Sequence, residues 1–354
     1  MAHHLAAKGS NVTIWALEKE VVESINTRHE NDMFLPGFPL SERLVGTQDI
    51  KEAVTGAEMV LLIIPTPFIA RWVNENQRLL PWDVPLVCCS KGVEESTLRT
   101  PYEILVDELP GKYHSQLCVL SGPSFAKEVV SGLPTNITCA AKCHEVAQRV
   151  QSFVSTRTFR AYTAADIVGA ELCGAVKNVL AIACGASDGL GFGDNARAAL
   201  ITRGLAEMAR LIVRKGGKAT TVTGLAGVGD LVLTCSSTLS RNYTVGKGIA
   251  EGRTKPNVGN AVAEGVITSL ALHRLAEKLG VSMPICDSVY QVIHGGLPIK
   301  QALAGLQSRS LKSEDDDVAW HPEAGSDDDD GQRAAAGHGD VRAHSLRPAG
   351  VSAL

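Results

Sequence analysis

Short apolar runs alternate with stretches of helical periodicity through the first 163 residues of the chain. The runs are rich in β-branched residues and show little alternation of apolar and polar positions, which is typical of parallel strands covered by helices on both faces. Strands are predicted at Val12 to Ala16, Met59 to Ile64, Leu86 to Cys89, Gln116 to Leu120, Thr135 to Ala140 and Thr158 to Tyr162. Strands that alternate with helices in this way predict a doubly wound parallel sheet of the α/β class.

The pattern changes at residue 165. From Ala165 to about Leu311 the strand signals fade, and long Ala- and Leu-rich helical stretches are separated by glycine-rich breaks at 189–193 and 216–217. We therefore predict an α/β domain over residues 1–164, followed by an all-helical domain over residues 165–311.

Lys312 to Leu354 differ again in composition. Ten acidic and four basic side chains give this segment a net charge of −6, with acidic runs at 314–317 and 327–330. It has too little apolar surface to offset the entropy that is lost on ordering. We expect a disordered acidic tail, which either serves as an interaction segment or is a non-native extension without function.

Overall composition narrows the class of protein. The 354 residues exceed what one hydrophobic core usually supports, which agrees with two domains. Lys plus Arg number 34 against 38 Asp plus Glu, and this near balance argues against a nucleic-acid binder and against a membrane-surface protein. The longest apolar run near the start, Met59 to Ile64, is too short to cross a bilayer. A small-molecule partner is expected.

Nine cysteines are scattered along the chain, and none forms a C-x-x-C pair. The spacing therefore predicts neither a zinc ribbon nor a thioredoxin-type redox site, and no metal site is expected. Most of the cysteines lie within apolar runs, where a free thiol behaves as a small hydrophobic side chain. A reducing compartment fits this usage, so we expect a cytoplasmic protein.

The pattern of the first residues indicates the second part of a βαβ unit, a helix followed by a strand. Ala2 to Lys8 form a helix that ends at Gly9, and the strand at Val12 follows. In a dinucleotide-binding fold, a strand and a G-x-G-x-x-G turn precede this helix and bind the pyrophosphate. We expect that this strand and turn are missing from an N-terminally truncated chain, which would weaken stability and cofactor binding. A fold without a nucleotide site is the alternative.

Two connections carry candidate anion-binding groups at strand ends. The segment 121–128 runs from a strand into a helix through Gly122 and Ser124, where a helix N-terminus can bind an anion. Lys91 follows the predicted strand at Leu86 to Cys89, and ligands of open α/β sheets gather at such strand ends. The alternatives are ordinary N-capping by the serine and a surface lysine.

The helix predicted from about Asp166 to Cys184 is apolar on nearly every face, yet it holds Glu171, Lys177 and Asn178. A lysine on a buried helix needs a partner or a task, and desolvation lowers its pKa toward that of a general acid or base. The alternative is an ion pair with Glu171, but a spacing of six does not bring helix residues together. A catalytic Lys177 is favoured.

Two later segments complete a candidate site. The glycine-rich segment 224–231 offers one carboxylate, Asp230, which could fix the ammonium of Lys177 in place. A helix then opens with an N-cap, a guanidinium and an amide that together suit a phosphate, at Ser240, Arg241 and Asn242. With Lys177, these residues predict an anionic substrate held beside a base.

These segments resemble the bacterial-type NAD(P)-dependent glycerol-3-phosphate dehydrogenase family. The similarity extends from about residue 2 to about residue 311, and its motifs are long and occur in the family's order. The matching stretches are SGPSFAKE at 121–128, GAVKN at 174–178, SDGLGFGDN at 187–195, TRGLAEM at 202–208, GDLVLT at 229–234 and SRN at 240–242.

The resemblance implies a Rossmann-like fold and the reversible reduction of dihydroxyacetone phosphate to sn-glycerol 3-phosphate, which supplies the phospholipid backbone. It implies that Lys177 is the proton donor and acceptor at the C2 oxygen. The substrate would be lined by Lys91, Gly122, Ser124, Lys177, Asp230, Ser240, Arg241 and Asn242. The cofactor, NAD or NADP, would lie near Lys91, Ala126, Arg241, Val262 and Glu264.

The cofactor preference and two rival interpretations remain to be considered. The carboxylate of Glu18 after the strand at Val12 favours a ribose 2′-hydroxyl and therefore NAD. A β-hydroxyacid dehydrogenase of the 6-phosphogluconate dehydrogenase kind shares the Gly-x-x-Lys-Asn helix, although SRN and GDLVLT argue against it. A catalytically inactive truncated chain is the third interpretation. Neither nucleic-acid binding nor membrane insertion is expected, and the oligomeric state, with a homodimer as one option, is open.

Overall fold

The structure is a computed structural model that describes residues 1–253, 263–311 and 313. The described residues belong to one compact unit, Met1–Val318. The predicted tail from Lys312 onward therefore lies outside the described residues, apart from Ser313, and so does Val262.

Seven strands form two sheets within the first 164 residues. The strands are β1 Val12–Trp15, β2 Leu44–Thr47, β3 Val60–Leu62, β4 Leu86–Cys88, β5 Leu117–Ser121, β6 Thr135–Ala141 and β7 Phe159–Ala164. Parallel strands β1 and β2 form the smaller sheet, with Val12 opposite Leu44. The larger sheet has the order β3-β4-β5-β6-β7. The carboxyl ends of β3, β4 and β5 point the same way, because these strands are parallel.

The predicted α/β class is confirmed, and all six predicted strands are present with boundaries shifted by at most two residues. The structure adds β2, which the sequence pattern did not indicate. Its four residues include Gly46, whose missing side chain lets the strand approach helix α2 (Lys19–Arg28): a Cβ there would lie 3.2 Å from Val22 Cα. A glycine within so short a strand removes the β-branched signal on which the prediction relied.

One strand pairing corrects the prediction of a fully parallel sheet. Strands β5 and β6 are antiparallel, with Cys118 opposite Ala141, whereas every other pairing among the described strands is parallel. The helix between them, α6 (Ala126–Val130), has five residues and spans only about 7 Å. It is too short to carry the chain back along β5, so the chain turns at Gly132, where φ is 71°, and pairs in the opposite direction.

Helices surround the sheets and then make up all regular structure after β7 among the described residues. Those that accompany the strands are α1 Ala2–Lys8, α2, α3 Ile50–Val54, α4 Ile69–Asn76, α5 Pro101–Glu108, α6 and α7 His144–Val154. Those that follow β7 are α8 Ile167–Gly189, α9 Gly193–Arg214, α10 Asp230–Cys235, α11 Arg241–Ala250, α12 Glu264–Leu279, α13 Pro284–Ile293 and α14 Ile299–Gln307. The predicted change from α/β to helical structure is therefore present.

Helix α8 is the centre of the molecule. Nineteen of its 23 residues are buried, including Glu171, Lys177 and Asn178, so nearly every face packs against a neighbour. It is long and apolar enough to cross a membrane, with a mean hydropathy of 1.6, but 89% of its most apolar stretch is buried within the protein, as expected of a core helix. One core cluster joins α8 to strand residues such as Leu86 and Val119. The division into domains at residue 164 stays a prediction.

Candidate active site

The Lys177 side chain lies buried in the middle of α8, and its residue is only 6% exposed. Its Nζ donates to Asp230 Oδ1 at 2.8 Å and to Thr234 Oγ1 at 2.8 Å. Both partners belong to α10. The structure therefore joins the lysine and the carboxylate that the sequence singled out, and it adds a hydroxyl that the sequence analysis did not name.

Helix α10 presents both partners on one face because Asp230 and Thr234 are four residues apart. The turn before the helix passes so close to its neighbours that a Cβ on Gly227 would lie 2.1 Å from Val222 O. Thr234 Oγ1 donates to Asp230 O at 2.6 Å, so its own proton is used and its oxygen can accept from Lys177. The four-residue spacing within GDLVLT was the signal that pointed to Thr234.

Lys91 reaches the same carboxylate from the sheet. It follows β4, and its Nζ donates to Asp230 Oδ2 at 2.9 Å. Its side chain crosses α8 at Gly174, where a Cβ would lie 3.2 Å from Lys91 Cγ. The glycine one turn before Lys177 therefore makes room for the second lysine. The carboxylate of Asp230 holds one ammonium on each oxygen.

The three charges change one another's protonation. Burial and the charge of Lys91 lower the pKa of Lys177 to about 8, although Asp230 opposes them. Burial also acts to lower the pKa of Lys91, but the neighbouring Asp230 carboxylate prevails and raises it. Burial acts to raise the pKa of Asp230, and the two ammonium groups hold it below its ordinary value. Lys177 is therefore the group of the three that can change its protonation near neutral pH.

Glu171 is not the partner of Lys177. Its Oε1 accepts a hydrogen bond from the Tyr102 backbone N–H at 2.7 Å, in the first turn of α5. Burial raises the pKa of Glu171 to about 8. Glu171 and Lys177 thus face different neighbours, as their spacing of six predicted.

A second cluster adjoins Lys177 through Asn178. Asn178 Nδ2 donates to Glu264 Oε2 at 3.1 Å, and Asn242 Oδ1 accepts from the Gly265 N–H at 2.9 Å. Gly265, which the sequence analysis did not name, permits this contact: a Cβ there would lie 2.5 Å from Asn178 O. The starts of α11 and α12 therefore meet α8 one residue after the lysine.

The start of α11 combines a cap with an exposed cation. Ser240 Oγ accepts from the Tyr243 N–H at 3.2 Å, which is the ordinary N-cap contact. Arg241 is exposed, and within residues 1–253 and 263–311 it has no hydrogen-bond or ion-pair partner. Its guanidinium is available to an anion.

The segment 122–126 lies at the end of β5. Gly122 has φ 138°, and a Cβ there would lie 3.0 Å from Ile137 Cα, so the position needs glycine. Ser124 Oγ donates to Gly122 O at 3.0 Å. Pro123 Cγ is 3.8 Å from the position of a Cβ on Gly229, directly before Asp230. The segment thus borders α10, and the exposed Ala126 is the first residue of α6.

Exposed apolar side chains follow the carboxyl ends of β1 and β3. Leu17 is 73% exposed, and Ile63 and Phe68 are each 60% exposed. Exposed apolar groups beyond the carboxyl ends of strands suit the flat rings of a dinucleotide, which binds beyond those ends in open α/β sheets. Glu18 is the N-cap residue of α2 at the same edge.

Known proteins resemble the chain along most of its length. The models of the NAD-dependent glycerol-3-phosphate dehydrogenase N-terminus and C-terminus match residues 1–147 and 166–304. The glycerol-3-phosphate dehydrogenase (NAD(P)+) of Myxococcus xanthus is 49% identical over 317 residues, which cover 89% of this chain and 95% of that protein. That of Anaeromyxobacter dehalogenans is 48% identical over 317 residues, with 89% and 96% covered.

A solved structure agrees. The crystal structure of glycerol-3-phosphate dehydrogenase from Coxiella burnetii matches with a TM-score of 0.80 and 36% identity, covering 87% of this chain and 94% of that one. The glycerol-3-phosphate dehydrogenase of Saccharomyces cerevisiae matches with a TM-score of 0.71 and 27% identity, covering 86% and 94%.

Proposed function

Because the chain belongs to the NAD-dependent glycerol-3-phosphate dehydrogenase family, we propose that Lys177 is the acid–base group with which it interconverts dihydroxyacetone phosphate and sn-glycerol 3-phosphate. One observation carries the proposal: a buried lysine whose pKa is lowered to about 8 lies between a carboxylate and a hydroxyl. A general acid or base works best when its pKa is near the operating pH.

The contacts of Lys177 leave one position on Nζ for the substrate. Asp230 and Thr234 each take one N–H. In the ammonium form, the third N–H donates to the carbonyl oxygen of dihydroxyacetone phosphate and protonates it as the alcohol forms. In the neutral form, the lone pair at that position accepts the proton of the C2 hydroxyl. The bound nicotinamide cofactor supplies or takes up the hydride.

The substrate phosphate is assigned to the cations and polar groups around the start of α11. Arg241 is unpaired among the described residues, and the Ser240 hydroxyl keeps its proton to donate while its oxygen accepts from Tyr243. Lys91 keeps N–H groups beyond the one that Asp230 takes. Guanidinium and ammonium groups bind a phosphate dianion through charge-assisted hydrogen bonds. Asn242, Gly122 and Ser124 complete the proposed substrate contacts.

For the cofactor we propose contacts with Lys91, Ala126, Arg241 and Glu264, together with Val262 outside the described residues. Glu18 supports NAD over NADP, because a carboxylate hydrogen-bonds a ribose 2′-hydroxyl and repels a 2′-phosphate. We place the enzyme in the cytoplasm, where its nine free cysteines stay reduced, and assign its product to glycerophospholipid synthesis.

Substrate specificity tests the assignment of the phosphate site. We expect NADH oxidation with dihydroxyacetone phosphate to exceed that with unphosphorylated dihydroxyacetone by about 100-fold or more in kcat/KM, since two charge-assisted hydrogen bonds are lost. Arg241→Ala should narrow this ratio, because it removes one of the cations. Equal turnover of the two ketones would contradict the assignment.

Lys177 itself is tested with two substitutions. Lys177→Met keeps the apolar stem and removes the ammonium, so kcat should fall by about 10² to 10⁴ while the far-UV CD spectrum is retained. Lys177→Arg should lower kcat as well, because a guanidinium stays protonated at working pH. If a folded variant of either kind kept the wild-type kcat, Lys177 would be structural.

A further inference from the structure

A cavity of about 610 Å³ lies away from the Lys177 cluster. It is lined by the loop 97–99, α5, Lys142, the first turn of α8, the segment after α9 and the end of α12, and it opens to solvent. Ile167 in its wall is ten residues before Lys177 on α8, which corresponds to about 15 Å along the helix. The cavity is therefore separate from the proposed active site.

The acidic side chains of the wall are already occupied. Glu103 Oε1 accepts from Lys215 Nζ at 2.7 Å, and its Oε2 accepts from the Thr100 N–H at 2.9 Å. Asp107 accepts from Arg99 at 3.0 Å. Asp166 accepts from the N–H groups of Gly169 and Lys218 and from the Thr221 hydroxyl. Every carboxylate in the wall thus has a donor of its own.

In contrast, three lysines of the wall have no acidic partner among the described residues. Lys142, Lys218 and Lys278 are exposed, and within the described residues none of their ammonium groups forms a hydrogen bond or an ion pair. Lys142 Nζ lies 5.4 Å from the centre of the Tyr102 ring, which is attractive but does not neutralise the charge.

The rest of the wall is apolar. Leu98, Val106, Val168, Leu275 and Leu279 line it, and Leu275 and Tyr102 are buried beneath the surface. Leu98 sits in the left-handed region with φ 61°, in a loop that Arg99 fastens through Thr97 and Glu94. This conformation is costly for a leucine, so the loop contacts hold that side chain in place. The cavity offers uncompensated positive charge at its rim and an apolar surface within.

We propose that this cavity is a second binding site, for an amphiphilic phosphomonoester: a phosphate dianion attached to a short apolar chain. The three ammonium groups bind the dianion, and the apolar wall covers the chain. A free phosphate would use only the first of these surfaces, and a neutral alcohol only the second.

Hexyl phosphate is the probe, and isothermal titration calorimetry is the measurement on the full chain. The test variant is Lys218→Gln/Lys278→Gln, and the matched control is Lys300→Gln, an exposed lysine of α14 away from the cavity. We expect hexyl phosphate to bind the wild type and the control with the same Kd. In the double variant this Kd should rise about tenfold or more, because two charged contacts are lost.

Three comparisons distinguish this site from the active site and from simpler ligands. The KM for dihydroxyacetone phosphate should be unchanged in the double variant, since neither lysine contacts the Lys177 cluster. Inorganic phosphate and hexanol should each bind far more weakly than hexyl phosphate. Lys142→Gln, a single change in the segment directly after β6, should also weaken binding.

The proposal fails if hexyl phosphate binds the double variant as tightly as the control, or if inorganic phosphate or hexanol binds as tightly as hexyl phosphate. It also fails if dihydroxyacetone phosphate displaces all of the bound hexyl phosphate, because the probe would then occupy the active site. None of these results would alter the assignment of Lys177, which rests on turnover.

Discussion

The Thr234 hydroxyl serves two neighbours at once. It donates to Asp230 O at 2.6 Å, which leaves its oxygen to accept from Lys177 Nζ at 2.8 Å. Because its proton is directed away from the lysine, the hydroxyl can act there only as an acceptor. Thr234 and Asp230 together fix the direction of the remaining position on Nζ, which the reaction uses.

Thr234→Val tests this positioning role. Valine has nearly the shape of threonine but accepts no hydrogen bond, so Lys177 should become less well oriented and kcat should fall by about 10-fold to 100-fold. Thr234→Ser retains the hydroxyl and should recover most of the loss. The measurement is kcat at saturating substrate for both variants. Equal kcat values for the valine and serine variants would show that the hydroxyl does not position the lysine.

Lys91 is predicted to set the pH range of the reaction. Oxidation of sn-glycerol 3-phosphate needs neutral Lys177, so its kcat should rise with pH through about 8. The positive charge of Lys91 is one cause of that low pKa. Lys91→Met removes this charge, raises the pKa of Lys177 and should move the rising limb of kcat to higher pH.

The control for this shift is Lys51→Met, an exposed lysine of α3 far from the site. The rising limb of its kcat–pH profile should coincide with that of the wild type. Because Lys91 is also assigned to the substrate, KM is expected to rise in Lys91→Met, and the comparison therefore uses kcat alone. If the rising limb of the kcat–pH profile of Lys91→Met stayed at the wild-type pH, the ammonium groups of Lys91 and Lys177 would not interact.

Sequence reasoning found the charged residues of the cluster but not the small ones. Lys177 was evident because a lysine within an apolar helix is costly without a partner, and Asp230 because it was the one carboxylate in a glycine-rich segment. Gly265 has no such signal, since its importance comes from a distance to another element, and the only signal for Thr234 is its four-residue spacing from Asp230. Gly265 matters because Asn178 O lies where its Cβ would be.

Helices α8 and α11 are in backbone contact, which only glycine permits. A Cβ on Gly185 would lie 1.9 Å from Tyr243 O, and one on Gly246 would lie 2.0 Å from Ile182 O. Each helix thus presents a glycine to a carbonyl of the other. The Asp188 carboxylate strengthens this crossing by accepting from the Tyr243 hydroxyl and from Arg197 of α9, each at 2.5 Å.

Gly246→Ala should therefore destabilise the protein, because the new methyl group meets backbone atoms that cannot rotate away. We expect the free energy of unfolding to fall by about 3 kcal/mol, at the upper end of overpacking effects. Gly305→Ala is the matched control: this glycine is also helical, and a Cβ there meets nothing within 4 Å. Alanine should be neutral there or add up to about 1 kcal/mol.

Urea unfolding of both variants measures the difference. If Gly246→Ala unfolded at the same urea concentration as Gly305→Ala, the two helices would have to separate without cost. The close crossing would then contribute little to stability.

At the scale of whole elements, the sequence predicted what depends on local pattern. Six strands and the change to helices at residue 165 follow from apolar runs and from their spacing, and the structure has them. Strand β2 and the antiparallel pairing of β5 with β6 were missed. A four-residue strand containing Gly46 carries little signal, and strand direction depends on how far α6 can carry the chain, which the apolar pattern does not encode.

Two buried glutamates connect the long central helices to the rest of the molecule. Glu171 of α8 accepts the Tyr102 N–H at the start of α5. Glu207 of α9 accepts the N–H groups of Ile285 at 2.6 Å and Cys286 at 3.2 Å, at the start of α13. Both α5 and α13 begin with proline, so their first free N–H groups meet a carboxyl group from another helix. One glutamate ties α8 to the α/β part, and the other ties α9 to the last helices.

These two carboxyl groups predict how stability changes with pH. Burial raises the pKa of Glu171 to about 8 and that of Glu207 to about 7, from 4.5. Between pH 5 and 8 the folded protein therefore holds protons that the unfolded chain releases. The free energy of unfolding should fall over this window by an amount on the order of a few kcal/mol.

The titration of Lys177 changes the free energy of unfolding in the opposite direction, but it does so above pH 8. Its folded pKa of about 8 lies below the ordinary 10.5, so the unfolded chain holds the extra proton only above pH 8, and stability rises with pH there. The pKa values of His3, His4 and the Met1 amine are lowered mainly by burial, and these groups titrate in the same range, so the glutamates are isolated by the difference in urea midpoint between the wild type and a variant that lacks both carboxyl groups. Glu171→Gln/Glu207→Gln cannot ionise and keeps one carbonyl oxygen as an acceptor at each position, so its midpoint should vary much less over this range than that of the wild type. A wild-type slope as flat as that of the double variant would mean that both carboxyl groups are already ionised in the folded protein.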